Sequence, residues 1–232
     1  PYLQYFKNEL DKKENPFIAS LFTLSSHDPY PLPNKFKGKY KKGKLPIHAN
    51  IQYTDEMLQH FFDSAENSAW FNNTIFLITA DHSSYSKEEY FYSTSGNYEI
   101  PIMLYDPSEK YIKPGVSYKT VNQIDILPTV LDVINYPHSF IALGESMLDT
   151  GVGYAYQRVN GVYQIISYPY IAEISPSGAF KFYKRQKEHK KPVYGLFQDE
   201  FEIRKEMLKR LLAFIQIHNK RMVENSFYLE IE

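Results

Sequence analysis

Short apolar runs alternate with polar loops over roughly the first 150 residues of the chain. Three runs are continuously apolar and rich in β-branched or aromatic residues, which predicts buried strands at residues 16–24, 74–80 and 100–105. The second run has the strongest pattern and predicts a central strand covered on both faces. Helical segments lie between the strands. We therefore predict an α/β fold with a layered, mostly parallel sheet flanked by helices.

Three segments carry apolar side chains at helical spacing in this part of the chain. The first is a short amphipathic stretch, and the second covers residues 51–65, with Asn50 or Thr54 as candidate caps at its start. The third begins near Asp125, a plausible N-cap, and has Pro128 in its first turn, where the missing N–H is harmless.

The pattern changes after Gly151. Short alternating runs joined by Tyr-Pro and Ser-Pro-Ser-Gly turns predict a small antiparallel sheet, and an amphipathic helix from Asp199 to about Val223 closes the chain. We therefore divide the sequence into an α/β catalytic half-domain, residues 1–150, and a small subdomain with a closing helix, residues 151–232.

Composition excludes several classes of function. The 232 residues carry a net charge of −1, so no strongly basic face attracts nucleic acid. No cysteine is present, which removes disulfides and thiolate chemistry. We find neither a long apolar run nor a signal-peptide pattern. The sequence begins at Pro1 rather than at Met, and we expect it to be a fragment of a longer protein.

Asp81 and His82 directly follow the strongest predicted strand. Open α/β sheets bind their ligands beyond the carboxyl ends of the strands, and a carboxylate beside an imidazole suits a divalent ion such as Mn²⁺ or Zn²⁺. A turn aspartate beside a hydrogen-bonded histidine explains the same dipeptide, so spacing alone leaves both interpretations open.

His27 follows the first predicted strand, and we expect it at the same edge of the sheet as His82. A histidine there can contact a phosphate or sulfate oxygen or protonate a leaving group, although it can equally be an ordinary loop residue. Six lysines between Lys35 and Lys44 either gather anionic headgroups or form a solvated loop.

Taken in order, these motifs resemble one superfamily. They comprise the apolar run into Ser-Ser-His-Asp-Pro, then Ile51–Asp55, Asn73–Phe76 leading to Ala-Asp-His, Glu99–Ile102 and Gln123–Thr129. The series resembles the second half of the alkaline-phosphatase/sulfatase catalytic domain, and is most similar to phosphoglycerol transferases of the lipoteichoic-acid-synthase type.

The resemblance implies site residues and a cofactor. Asp81 and His82 match the family's late metal ligands, and His27 matches a histidine that contacts the substrate's phosphate. The implied cofactor is a divalent metal, Mn²⁺ first, with Zn²⁺, Ca²⁺ and Mg²⁺ as alternatives. The family's threonine nucleophile and a further carboxylate ligand belong to the first half of the domain, so we expect no catalytic nucleophile in this chain. Ser83 stands where the family usually has glycine.

Three functions fit this resemblance. The first is transfer of a phosphoglycerol-type group from an anionic lipid donor, through a covalent intermediate on an upstream threonine, at the extracytoplasmic face of a bacterial membrane or in the periplasm. The second is hydrolysis of sulfate or phosphate esters. The third is a non-catalytic binding relative. The membrane would be reached through an N-terminal region outside this sequence.

Overall fold

The structure is a computed structural model that describes residues 2–84, 86–186, 189–192 and 198–228. It divides into two compact units, residues 1–114 and 115–232. The predicted domain boundary at residue 150 thus differs from the unit boundary. Residues 115–150 belong to the second unit because hydrogen bonds tie them to its sheet: the Asn122 side chain donates to the carbonyl of Tyr156, and the Tyr168 N–H donates to the Thr120 hydroxyl.

The first unit is built from two helices and a two-stranded sheet: α1 Tyr2–Leu10, α2 His48–Ala65, β1 Phe76–Thr79 and β2 Ile102–Tyr105. Helix α1 packs on α2 through an aromatic core. Phe61, Ala65 and Phe71 are buried at its centre. Phe76 of β1 joins the core, with its ring 6.3 Å from the Phe61 ring. This packing fixes β1 against the C-terminal half of α2.

Helix α2 begins three residues before the predicted start. Neither Asn50 nor Thr54 caps it, because the helix already begins at His48. Asn50 instead lies inside its first turn and is buried.

The predicted strand at residues 16–24 is wrong. These residues form no strand, and most of their apolar side chains are exposed, including Ile18 at 88% and also Phe22 and Leu24, whereas Phe17 and Leu21 are half-buried. An apolar run becomes a strand only when a neighbouring strand accepts its backbone hydrogen bonds. Strand β1 pairs with β2 and with no other described strand, so the run has no strand partner and forms no regular element.

The predicted parallel order is also absent from the described residues. Strands β1 and β2 pair antiparallel, from Phe76 opposite Tyr105 to Thr79 opposite Ile102. Strand β1 is shorter than predicted, and its residues are half-buried or exposed rather than covered on both faces. The α/β class itself is confirmed by the alternation of helices with these strands.

The turn after β2 is organised by one buried carboxylate, that of Asp106. It accepts hydrogen bonds from the N–H and hydroxyl of Ser108 and from the N–H groups of Tyr111 and Ile112. Burial acts to raise the pKa of Asp106, but the hydrogen bonds from Ser108 and the two backbone N–H groups outweigh it and lower that pKa to about 2.

The second unit confirms the small antiparallel sheet and the terminal helix. Its sheet has five strands in sequence order, whereas the short runs at residues 162–168, 170–174 and 179–183 predict three. The elements are α3 Ile126–Val133, β3 Ala155–Val159, β4 Val162–Ser167, β5 Tyr170–Ile174, β6 Phe180–Gln186, β7 His189–Pro192 and α4 Gln198–Glu224. Every described pairing in it is antiparallel.

Asp125 stands at the N-cap position of α3, as predicted, but its side chain makes no capping hydrogen bond to that helix. A 3-10 turn, Gln123–Asp125, precedes the helix, and Asn122 caps that turn. Asp125 completes the box by accepting from the N–H of Asn122, and it also accepts from the N–H of Glu145. Burial is the largest influence on Asp125 and raises its pKa. The network fastens the Glu145 loop to the start of α3.

Helix α4 packs its apolar face on the sheet. Met207 and Leu211 are buried against Ile165, Ala172 and Phe182. The Phe214 ring also stacks on Tyr156 of β3, with the ring centres 4.2 Å apart. The helix therefore belongs to the hydrophobic core of this unit.

We expect Asp106→Asn to lower the free energy of unfolding by about 1–3 kcal/mol, because an amide group cannot accept from all of these donors. The folded pKa lies below the ordinary value of 3.8, so the carboxylate stabilises the fold above that pH and loses its effect as the pH falls toward 2. Urea unfolding across this range should show the difference between wild type and variant shrinking. Asp55→Asn, on the exposed face of α2, is the control and should show neither effect.

Two adjacent leucines of α4 provide a test of its packing. Leu211 is 1% exposed and Leu212 is 51% exposed. Leu211→Ala should lower the free energy of unfolding by about 2–5 kcal/mol, since it leaves a cavity in the core. Leu212→Ala should change it by less than about 0.5 kcal/mol. Denaturant unfolding followed by circular dichroism measures both, and equal losses would contradict the assigned orientation of α4.

Candidate functional site

Asp81 and His82 lie just beyond the C-terminal end of β1, as predicted, and both side chains are more than half exposed. The N–H of His82 donates to Oδ1 of Asp81 over 2.9 Å, which fixes the carboxylate orientation. The second oxygen, Oδ2, lies 3.6 Å from Nε2 of His82. The two side chains therefore present one oxygen and one nitrogen on the same side of the chain.

A backbone carbonyl selects the tautomer of His82. Its Nδ1 lies 2.7 Å from the carbonyl oxygen of Ser83. A carbonyl oxygen only accepts, so Nδ1 carries the proton and, in the neutral ring, Nε2 holds the lone pair. Histidines that bind metals are oriented by this kind of second hydrogen bond.

The Asp81–His82 pair fits a divalent ion in chemistry and in spacing. Carboxylate oxygen and imidazole nitrogen are ligands for Mn²⁺ and Zn²⁺. Their bonds to such ions are about 2.1 Å long, so atoms 3.6 Å apart can both contact one ion. The pair supplies two ligands, whereas a structural or catalytic zinc takes at least three from protein.

His27 lies in the loop that follows the apolar segment, and it is exposed. Its Nδ1 is 2.7 Å from the carbonyl oxygen of Asp28, so it repeats the arrangement of His82: Nδ1 donates to the next carbonyl and Nε2 faces outward. Two backbone hydrogen bonds shape the loop, from the His27 N–H to Leu24 and from the Tyr30 N–H to His27. Only Nε2 remains available for a substrate oxygen.

The structure brings Asp81 and His82 together as a pair. In the described residues, no group of three or more His, Cys, Asp or Glu side chains is arranged to hold a metal ion. Within these residues His27 does not join the pair as a third such side chain, and its role as a phosphate contact stays a prediction. Its convergence with His82 at one sheet edge stays a prediction.

The lysine-rich loop is partly folded onto α2. Phe36 is buried and packs 5.0 Å from the Tyr53 ring. Lys39 pairs with Glu56 of α2 at 2.5 Å, and the Tyr40 hydroxyl donates to the same carboxylate. Burial and this hydrogen bond raise the pKa of Tyr40 to about 12. Of the six lysines, Lys39 is therefore held by an ion pair with α2, although 49% of its side chain remains exposed.

Ser83 has a role that the sequence did not predict. Its N–H and its hydroxyl both donate to the carbonyl of Asn97, at 3.1 and 2.7 Å. These two bonds tie Asn97, and with it the segment of residues 86–98, to Ser83, which directly follows His82. The sequence indicated this role only by having serine at a position where the family usually has glycine. Glycine has no hydroxyl and cannot donate this second hydrogen bond.

A sequence model of the family described as Sulfatase matches residues 1–136, more than half of the chain. The chain belongs to the sulfatase family. The match includes His27, Asp81 and His82, the three residues selected above.

Two curated relatives of this sulfatase-family chain are lipoteichoic acid synthases. Lipoteichoic acid synthase 1 of Bacillus subtilis is 29% identical over 140 residues, which are 53% of this chain and 21% of that synthase. The enzyme of Staphylococcus aureus strain USA300 is 23% identical over 185 residues, 72% of this chain and 29% of the synthase. The chain therefore spans less than a third of either relative.

Solved structures confirm the fold of this sulfatase-family chain. A protein in the alkaline phosphatase superfamily from Vibrio parahaemolyticus superimposes with a TM-score of 0.77 at 23% identity, over 99% of this chain and 54% of that one. Ps i-CgsB in complex with k-i-k-neocarrahexaose gives a TM-score of 0.62 at 12% identity, over 92% and 53%. These similarities concern the fold alone.

We expect Ser83→Ala to loosen segment 86–98, because it removes one of the two hydrogen bonds to Asn97. One neutral hydrogen bond contributes ~0.5–1.5 kcal/mol, so amide exchange there should become about 2- to 10-fold faster. Hydrogen–deuterium exchange with mass spectrometry measures this. The exposed neighbour offers a control, Ser84→Ala, which should leave the rate unchanged; equal rates in both variants would contradict the role of Ser83.

Proposed function

We propose that this chain carries the metal-binding pair and the phosphate contact of a sulfatase-family enzyme that transfers a phosphoglycerol-type group from an anionic lipid donor. The observation that carries the proposal is the Asp81–His82 pair, with the Oδ2 and Nε2 atoms 3.6 Å apart beyond β1. The likeness to two lipoteichoic acid synthases supports the choice of donor.

The proposed residues have separate tasks. Oδ2 of Asp81 and Nε2 of His82 would hold one side of a divalent ion, with the remaining ligands supplied by the part of the enzyme that this chain does not span. When bound, the ion lowers the pKa of a hydroxyl nucleophile and neutralises charge on phosphate oxygen. The Ser83 carbonyl keeps the His82 ring in the ligating tautomer.

His27 would act on the phosphate group itself. Its Nδ1–H is engaged by Asp28, so contact with substrate falls to Nε2. As an imidazolium, the ring donates Nε2–H to a nonbridging phosphate oxygen, or passes that proton to the departing diacylglycerol oxygen. An imidazole carries out either task near neutral pH.

The reaction has two displacements at phosphorus. A threonine hydroxyl outside this chain attacks, the bond from phosphorus to the diacylglycerol oxygen breaks, and phosphoglycerol remains on the threonine. An acceptor hydroxyl then attacks the same phosphorus and releases the threonine. If water replaces the acceptor, the enzyme is a phosphodiesterase, and a sulfate ester in place of the phosphodiester makes it a sulfatase.

The proposed location is the extracytoplasmic side of a bacterial membrane, where a lipid donor is accessible. None of the helices in the described part of the chain has the length and apolar character of a membrane span. Attachment to the membrane would therefore come from elsewhere in the complete protein.

The proposal predicts different losses for the two kinds of residue in the complete enzyme. His82→Ala and Asp81→Asn should lose both bound metal and turnover. His27→Ala should keep the metal and lose turnover by about 100-fold or more. Elemental analysis reports the metal, and release of diacylglycerol from a labelled lipid donor reports turnover. His60→Ala, an exposed histidine on α2, is the control and should change neither.

The products distinguish the three functions. Phosphoglycerol attached to an acceptor indicates transfer, whereas free glycerol phosphate or inorganic sulfate indicates hydrolysis. An intact fold without bound metal in the wild-type enzyme would contradict both enzymatic functions and leave the binding relative.

A further inference from the structure

The side chain of Asn50 is buried at the start of α2, with 1% of the residue exposed. Its amide nitrogen donates to two backbone carbonyls: to Ser25 over 2.7 Å and to Pro31 over 3.4 Å. These carbonyls lie on either side of His27. One side chain therefore connects both ends of the His27 loop, residues 25–31, to a helix.

The His27 loop needs such an external support. It follows a segment without regular structure in which Ile18, Phe22 and Leu24 are exposed, so these side chains provide it with little packing. Tyr30 has a φ of 58°, a left-handed conformation that bulky residues rarely adopt. Strained conformations of this kind persist when the surroundings determine them. The two hydrogen bonds from Asn50 link the His27 loop to helix α2.

We propose that Asn50 is a positioning residue for His27, acting by clamping the ends of the His27 loop. The inference rests on the proposed function, because His27 matters for catalysis only if it contacts the substrate. The clamp keeps the carbonyl of Asp28 within reach of Nδ1 of His27, and this bond leaves Nε2 facing outward.

The two carbonyl acceptors, those of Ser25 and Pro31, explain why an asparagine suits position 50. An asparagine amide group provides two N–H donors on one nitrogen, which matches two carbonyl oxygens. Aspartate has nearly the same shape but only accepts when ionised, and alanine donates nothing. Asn50→Ala and Asn50→Asp therefore both remove the clamp, by different routes.

Nitrogen NMR of the imidazole rings in the full chain provides the test, at a pH where the rings are neutral. Wild-type His27 should show the Nδ1–H tautomer. In Asn50→Ala, its ring nitrogens should shift toward the Nε2–H tautomer that unconstrained histidines favour. His82 makes the same bond to Ser83, so its unchanged signals serve as an internal control.

Helix α2 also offers a matched control variant. Gln52 donates through its own amide to the carbonyls of Lys41 and His48, each over 3.0 Å. It holds the lysine-rich loop and does not contact the His27 loop. Gln52→Ala should therefore leave the His27 tautomer unchanged. An unchanged tautomer in Asn50→Ala, or an equal shift in both variants, would overturn the proposal.

The wild-type chain provides a second measurement if Asn50→Ala does not fold. Nuclear Overhauser contacts should join the Asn50 amide protons to residues 25 and 31, and these protons should exchange slowly. Absence of both signals would overturn the clamp without any substitution.

The complete enzyme tests whether Asn50 acts through His27. Asn50→Ala should lower turnover by about 10- to 100-fold through misplacement of the ring, with the bound metal retained. In a His27→Ala background, the same substitution should have no further effect. Additive losses would contradict the positioning role. If His27→Ala alone leaves turnover intact, the proposed function fails, and the tautomer experiment still decides the clamp.

Discussion

The structure of the first unit depends on helix α2, which supports both loops of the candidate site. Near its start, buried Asn50 holds the loop that carries His27. Near its end, Phe61 packs against Phe76 of β1, and that strand leads directly to the loop of His82. Aromatic contacts of Phe61 and Phe62 with Phe76 and one amide clamp thus connect two loops distant in sequence to a single rigid element. Any shift of α2 relative to β1 would move the two histidines relative to each other.

The same kind of local hydrogen bond orients the rings of both histidines. In each, Nδ1 donates to the carbonyl of the following residue, Asp28 or Ser83, over 2.7 Å. The bond costs little because it is local, and it selects which nitrogen faces outward. The same orientation suits two different tasks, a metal ligand at His82 and a phosphate contact at His27. The proposed chemistry therefore depends on loop conformation as much as on residue type.

The sequence predicted the elements whose signals lie in neighbouring residues. It failed for segments that become a strand only when another strand, distant in the chain, pairs with them. Helix α4 and the Asp81–His82 pair at a strand end follow from spacing and position, and both are confirmed in place. Residues 16–24 are apolar enough for a strand, but composition cannot say whether a partner edge is present. Strand β3, Ala155–Val159, was missed because its mixed residues form a strand only through pairing with β4. The tautomers and the Asn50 clamp depend on backbone carbonyls, whose positions leave no trace in residue order.

The two units differ in how completely their own residues bury their apolar side chains. In the second, α4 covers the sheet and buries residues such as Met207 completely. In the first, Ile18 remains exposed, and the Asp81–His82 pair offers two ligands where an ion needs more. Both features belong to the first unit, which the family match covers throughout. The chain as a whole spans 54% of a protein with the same fold. Under the proposed function, the remaining metal ligands come from the part of the enzyme that this chain does not span, so residue type and loop conformation here determine only one side of the metal site.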